Sequence, residues 1–449
     1  MSLLKKIDTR ETDYRKVIRC RSAERHAAIA ESVAATIADV RQRGDAALLD
    51  SARRFDAPDM ESIHVSDAEW TAAHVPAMHA EAIRTAVSRV RAFHEAQRTA
   101  LLGSLAPLVE GHPARVWRAP MRLTDVDTGE RGQVLRPLAS AGIYVPGGRA
   151  AYPSSVLMNA LPAKVAGVGR VVVASPPRSD GTLHPAVLFA AKASEIDQIV
   201  KVGGAAAIAA LALGTETVQR VDKVAGPGNV YVNEAKRQLW GEVGVDGYAG
   251  PSEVAVLVGD VGFAPHAAAD LLTQIEHAPD NVPFLVAWDD AAIEAVFDSI
   301  SRQLDTAPRS DVMRQALSNG IAIRVRDKAE AVDVLNEIAA EHVSLAVADP
   351  EPLLPRLESA GCILMGEWTP ESAGDFVAGP SHTLPTGGAA RWQSPVNVID
   401  FIKIQSFIRM NRGDLVALRP VIEAFGEIEG FPQHAFGATV RFEGAPEGS

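Results

Sequence analysis

Cysteine is almost missing from this chain of 449 residues, which has two, Cys20 and Cys362. Two cysteines allow at most one disulfide. They exclude a disulfide framework and a thiolate zinc site, so any metal here needs nitrogen and oxygen ligands. A positive charge excess is missing too: the net charge is -12 at pH 7, which argues against a polyanion partner such as nucleic acid. No run of about 18 uninterrupted apolar residues occurs, so no membrane span is expected. The opening MSLLKKIDTRETDYRK turns polar at once and has no apolar core of a signal peptide. A soluble cytoplasmic protein is the expectation. Neither a G-x-G-x-x-G after a strand nor an H-E-x-x-H helix is present.

What remains is ordinary globular composition, 47% hydrophobic and 22% charged, with length for two or more cores. Residues 1–125 read as mainly helical. ERHAAIAESVAATIADVRQRGDAALLDSARRF carries apolar residues at helical spacing, broken at Gly44-Asp45, and AEAIRTAVSRVRAFHEAQR predicts another helix. Over 126–240 the texture changes. Short β-branched runs (AGIYVPG, RVVVAS, QIVKVG, DKVAG) alternate with VLMNALPAKVAG and LHPAVLFAAKAS, the pattern of βαβ units on a parallel sheet. Over 241–391 EVAVLVGD, VPFLVAW, GIAIRV, HVSLAV and GCILMG repeat that alternation. The fold class expected is α/β: two doubly wound, Rossmann-like domains with parallel sheets, a helical N-terminal region partly packed on the second, and a C-terminal tail over 392–449. The tail holds the dense apolar SPVNVIDFIKIQSFI and a helix with Pro420 inside it, and suits packing on another domain or subunit.

Three segments carry chemistry. ESAGDFVAGPSHTLPTGGAAR (371–391) shows no helical or strand period and reads as a loop of about 20 residues, uncommon unless it serves a site. It contains Asp375 and His382, able to bind a metal or a polar substrate or simply to face solvent. In QIEHAPDN, Gln274 and His277 stand three apart on one predicted helical face. That pair can chelate a cation, or His277 can merely favour a helix C-terminus. In AAEHVSLAV, Glu341-His342 precedes a predicted strand, where an imidazole suits general base work and a carboxylate can activate water. The glycine-rich pieces at 145–155, 202–211, 226–232 and 250–256 can admit a phosphate or form plain turns.

Taken together and in order, GIYVPGGRAAYPSSVLMNALPAKVAGV, KVGGAAAIAALALGTETV, VDKVAGPGNVYVNEAKRQL, AGPSEVAVL, AADLLTQIEHAPD, AAEHVSL, the 371–391 segment and EGFPQHAFGATVR resemble the histidinol dehydrogenase family over roughly residues 135–441. The resemblance implies zinc- and NAD-dependent oxidation of an amino alcohol to a carboxylate, ending histidine biosynthesis. It implies zinc ligands at Gln274, His277, Asp375 and His434, which would also line the substrate pocket, and an acid–base pair at Glu341 and His342. Substrate contacts would fall on Ser252, Glu341, His382 and Glu429, and NAD contacts on Tyr144, Asn229 and the position of Ala206. It further implies a homodimer with shared sites, in which Glu429 and His434 come from the other chain. Three places depart from the family's usual residues: Ala206 stands where glutamine is common, Ala278 where glycine is, and Ser381-His382-Thr383 where Asn-His-Val is. A paralogue acting on another alcohol such as sulfopropanediol, a zinc hydrolase and a non-catalytic scaffold are the competing readings.

Overall fold

The structure is a computed structural model that describes residues 3–19, 27–120, 129–147, 150–247 and 250–443. Cys20 lies outside the described residues, as do Gly148 and Arg149 of the first glycine-rich segment. The chain divides into two compact units, one of Met1–Arg98 with Leu138–Phe401, the other of Thr99–Pro137 with Ile402–Ser449.

The strands, in chain order, are as follows. β1 (Lys5–Asp8) comes first, then β2 (Ala106–Pro107), β3 (Arg115–Pro120) and β4 (Glu130–Pro137). Next come β5 (Ser140–Tyr144), β6 (Arg170–Ser175), β7 (Gln198–Lys201), β8 (Lys223–Ala225) and β9 (Gly244–Val245). Then follow β10 (Glu253–Val258), β11 (Val282–Ala287), β12 (Ile321–Arg324), β13 (His342–Ala346), β14 (Cys362–Met365) and β15 (Ile402–Arg409).

The first unit holds two parallel sheets, ordered β7-β6-β5-β8-β9 and β1-β12-β11-β10-β13-β14, both covered by helices. This is the expected doubly wound α/β architecture. The second sheet is buried on both faces. Val254, Val256 and Val258 of β10 enter one core, and Ala255 and Leu257 enter the core on the other side. That is why its strands read as continuous apolar runs rather than alternating ones. The helix Ala264–Ile275 lays Ala264, Ala267, Ala268, Leu271, Leu272 and Ile275 on this sheet at helical spacing. The N-terminal helix Ala27–Arg43 likewise buries Val33, Ile37 and Val40, and ends at Gly44, whose φ of 54° suits glycine.

Two features depart from the sequence reading. The N-terminal region contributes β1, which pairs in parallel with β12 at Lys5↔Ile321. Its four residues, KKID, include two lysines and an aspartate, and only Ile7 is buried, so no strand pattern showed. The second unit is built on an antiparallel sheet, β15-β4-β3-β2, together with the helices Arg412–Ile428 and Pro432–Thr439.

Candidate active site

Topology brings opposite edges of the two parallel sheets to one region of the first unit. The helix Ala264–Ile275 leaves the carboxyl end of β10 and runs back, which returns Gln274 to the amino end of that strand. Ser252 and Glu253 stand at that same end, and His342 is the first residue of neighbouring β13, in register with Val254. The candidate residues therefore collect at the amino edge of the second sheet. From the first sheet, the helix Pro153–Ala166 presents its N-terminal turn: Ser155 Oγ lies 3.4 Å from His382 Nε2, and Asn159 donates to Thr383 Oγ1 at 2.9 Å.

Glu341 is buried and held at one oxygen by two donors, the Glu253 backbone N–H at 3.1 Å and Gln274 Nε2 at 2.9 Å. Burial pushes its carboxyl well above the usual range, and the nearby Asp375 and Glu253 carboxylates push the same way. His342 is 2% exposed. Burial, reinforced by His382 and His277, lowers its pKa to about 3, so the ring is neutral. Its Nε2 stands 3.7 Å from Asp375 Oδ1 and its Nδ1 4.0 Å from Glu371 Oε1. Asp375 is buried, and desolvation alone raises it to about 6. His382 Nδ1–H donates to the Asp375 carbonyl at 2.9 Å, which leaves Nε2 bare. Burial lowers its pKa to about 4.

The 371–391 segment was expected to be loop throughout. It opens instead with a short helix, Glu371–Phe376, whose buried residues are Glu371, Gly374 and Asp375, and it closes with a 3-10 turn at Ala389–Arg391. The i, i+4 spacing of Glu371 and Asp375 was the available signal, masked by Gly374 and the Gly-Pro that follows. Glu371 is the functional candidate that the sequence reading missed. Gln274 and His277 also fail to share a helical face. The helix ends at Ile275, with Glu276 as C-cap and Pro279 soon after, so His277 stands in the following bend. The His277 ring reaches solvent, yet the protein around it lowers its pKa by desolvation.

The expected cofactor positions fall at the carboxyl edge of the first sheet. Tyr144 ends β5, and its hydroxyl accepts from the Gly204 N–H at 3.2 Å, at the start of the helix Gly204–Leu213. Burial raises this phenol to about 12. Ala206 is 1% exposed and packs into the core with Tyr144 and Val224. Asn229 caps the helix Val230–Leu239 by accepting from Tyr231 N–H and Val232 N–H. Before it, Gly226 has φ +120°, and a Cβ there would run into the Tyr144 carbonyl, so only glycine lets this loop lie against β5. Ser381 and Thr383, the two departures beside His382, are both buried and bonded within the scaffold.

Glu429 and His434 belong to the second unit, where they line a cavity of about 270 Å³ with Val421, Phe425 and Phe431. Among the described residues, no three His, Cys, Asp or Glu side chains gather as a metal site. The donors on hand in the first unit are His277, the Asp375 carboxylate and Gln274 Oε1. Gln274 Nε2 is already committed to Glu341, so its oxygen is the atom left to face a cation. A buried carboxylate raised by desolvation alone suits a cation partner, and a donor set of N and O without sulfur suits zinc.

A neutral buried histidine beside a buried acid on a two-sheet α/β scaffold is an arrangement suited to proton transfer. Comparison with known proteins makes the class specific. The histidinol dehydrogenase family profile matches residues 19–442. Histidinol dehydrogenase of Geobacter sulfurreducens is 41% identical over 446 residues, covering 97% of this chain and 99% of its own. That of Geobacillus kaustophilus is 44% identical over 411 residues, covering 91% and 92%. The crystal structure of histidinol dehydrogenase from Elizabethkingia anophelis superposes with a TM-score of 0.86 at 31% identity, covering 99% of both chains. The chain belongs to the histidinol dehydrogenase family, a family of oxidoreductases.

Proposed function

We propose that the protein is a cytoplasmic enzyme of histidine biosynthesis that oxidises L-histidinol to L-histidine through histidinal, in two successive hydride transfers to NAD. The observation that carries this reading is the buried pair at the start of β13: His342, with its Nε2 3.7 Å from the Asp375 carboxylate, next to a Glu341 anchored by Gln274 and the Glu253 backbone.

NAD would supply the hydride acceptor, and zinc, which Gln274, His277, Asp375 and His434 would hold, would supply orientation and charge for the polar end of the substrate. The protein's own residues do the proton work. His342 Nε2 takes the hydroxyl proton as hydride leaves the alcohol carbon. Glu341 then takes a proton from water as the water oxygen adds to the aldehyde carbon, while the His342 imidazolium returns its proton to the aldehyde oxygen, which completes the hydrate and leaves the ring neutral again. Its burial makes the carboxylate a stronger base than one in solvent. His342 accepts the hydrate's hydroxyl proton during the second hydride transfer, so one alcohol gives one carboxylate and two NADH. Ser252, His382 and Glu429 recognise the substrate's polar groups, and Tyr144, Asn229 and the chain around Ala206 face the cofactor. Protein walls around a retained aldehyde protect it from side reactions.

We further propose that the active form is a homodimer in which a second copy supplies Glu429 and His434. The exposed apolar side chains of the tail helices, among them Val421, Phe425, Ile428 and Phe431, support such an interface.

A substrate panel with NADH readout tests the function. L-histidinol should give two NADH per molecule, and a chelator should abolish the signal until zinc is restored. NADH formation from another alcohol such as sulfopropanediol, with none from L-histidinol, would overturn the substrate assignment.

A further inference from the structure

We infer that Glu371 is the positioning residue for His342: its carboxyl accepts the proton on Nδ1 and thereby leaves Nε2 bare on the side of Asp375. The inference rests on His342 being the base proposed above.

Both partners are incomplete without each other. Among the described residues, His342 Nδ1 has no hydrogen-bond partner, and neither has either oxygen of Glu371. Glu371 is fully buried at 0% exposure, and His342 is at 2%. Polar atoms buried this deeply are rarely left without a partner, because each costs about 1–3 kcal/mol unbonded. The two orphans stand opposite one another, Nδ1 to Oε1, at 4.0 Å. That exceeds a hydrogen bond by about one ångström, a gap that a small rotamer adjustment closes, and catalytic hydrogen bonds commonly tighten only when the substrate arrives.

The backbone already aims the carboxyl. Glu371 N–H donates to Asp270 Oδ1 at 3.2 Å, and Ser344 Oγ donates to Asp270 Oδ2 at 2.7 Å. Ser344 lies two residues after His342 on β13, so Asp270 ties the strand that carries the base to the helix turn that carries Glu371. A neutral imidazole has one N–H, and the partner of one nitrogen decides which it is. Glu371 offers an acceptor oxygen to Nδ1–H whether ionised or neutral, because even the neutral acid keeps its carbonyl. With the proton held there, Nε2 is the free base, 3.7 Å from Asp375. The same carboxyl then faces the ring as it becomes an imidazolium.

The test reads the tautomer directly in ¹⁵N-histidine-labelled, zinc-loaded protein without substrate, the His342 signals being assigned by their loss in His342→Gln. Wild type should show the Nδ1–H tautomer. Glu371→Leu should show a mixture of tautomers, with kcat reduced about a hundredfold and KM within about threefold. Glu371→Gln, whose carbonyl still accepts from Nδ1–H, should restore the tautomer and most of kcat. If Glu371→Leu does not fold, Glu371→Asp, shorter by one methylene, should show the same shift in part. An Nε2–H tautomer in wild type, an unchanged tautomer in Glu371→Leu or Glu371→Asp, or a Glu371→Gln as impaired as the leucine variant overturns the inference. Absence of histidinol oxidation with the Nδ1–H tautomer intact overturns the proposed function instead.

Discussion

Gln274 Nε2 donates to Glu341 Oε2 at 2.9 Å, and that bond joins a proposed zinc ligand to a proposed proton acceptor. The helix end and the strand start are thus coupled at the site itself. Because the Glu253 N–H donates to the same oxygen, two donors from different elements fix Glu341 there.

Glu341→Gln places an amide N–H₂ or carbonyl among these two donors and removes the acceptor for water's proton. The first oxidation should survive while the second slows by about a hundredfold. NADH per histidinol should fall from two toward one, with the aldehyde caught by a carbonyl-trapping reagent. Two NADH per substrate at the wild-type rate would remove Glu341 from its assigned step.

His342→Ala deletes the base without removing a proposed metal donor. Turnover should drop by about 10²–10⁴-fold, while zinc content by elemental analysis stays at the wild-type level. Unchanged turnover would contradict the role given to this ring.

Asp56 is half-buried at the end of the helix Asp45–Phe55, and burial raises its carboxyl from the ordinary 3.8 to about 6. A raised carboxyl pKa means that the folded state binds the proton more tightly than the unfolded chain does. The ionised group therefore opposes folding above about pH 6, and the penalty vanishes below the unfolded value near 4. Asp56→Asn should stabilise the protein by about 1–2 kcal/mol at pH 8, with little change at pH 4. Urea titrations at the two pH values measure this. Equal effects at both would show that the desolvation argument is wrong.

Lys236 and Asp246 form a buried pair at 2.7 Å, with side chains 2% and 5% exposed, and Lys236 Nζ also donates to the Gly226 carbonyl. Lys236→Met leaves an unpaired buried carboxylate and should cost about 3–5 kcal/mol. Since Asp246 also accepts from the Gly226 N–H at 2.7 Å, the Gly226–Asn229 loop should loosen and KM for NAD should rise. A double variant, Lys236→Met with Asp246→Leu, should recover part of the stability by removing the stranded charge. Chemical denaturation of the single and double variants distinguishes these outcomes.

The sequence revealed what repeats a period and hid what depends on distance. β10, β11 and β13 were readable as apolar runs because both faces of their sheet are covered. β3 and β4 were not, since charged residues and prolines break their alternation. Asp375, Gln274 and the Glu341-His342 pair each drew attention within their own segments, but only the resemblance grouped them into one site, because 34 residues separate Glu341 from Asp375. Glu371 carried only its i, i+4 spacing from Asp375, hidden by the glycines and proline around it. Its meaning comes from the 4.0 Å that folding leaves between it and His342, two residues on different elements.

β1 has a consequence for how the chain is made. It is made well before the strand it pairs with, since β12 follows roughly 300 residues later. At about 5–20 residues per second, the first strand waits some 15–60 s before its neighbour exists. During that interval the nascent chain carries an unpaired strand able to join another chain's edge. Lys5 and Lys6, both exposed, give that waiting strand a charge that discourages such pairing until the second sheet can receive it.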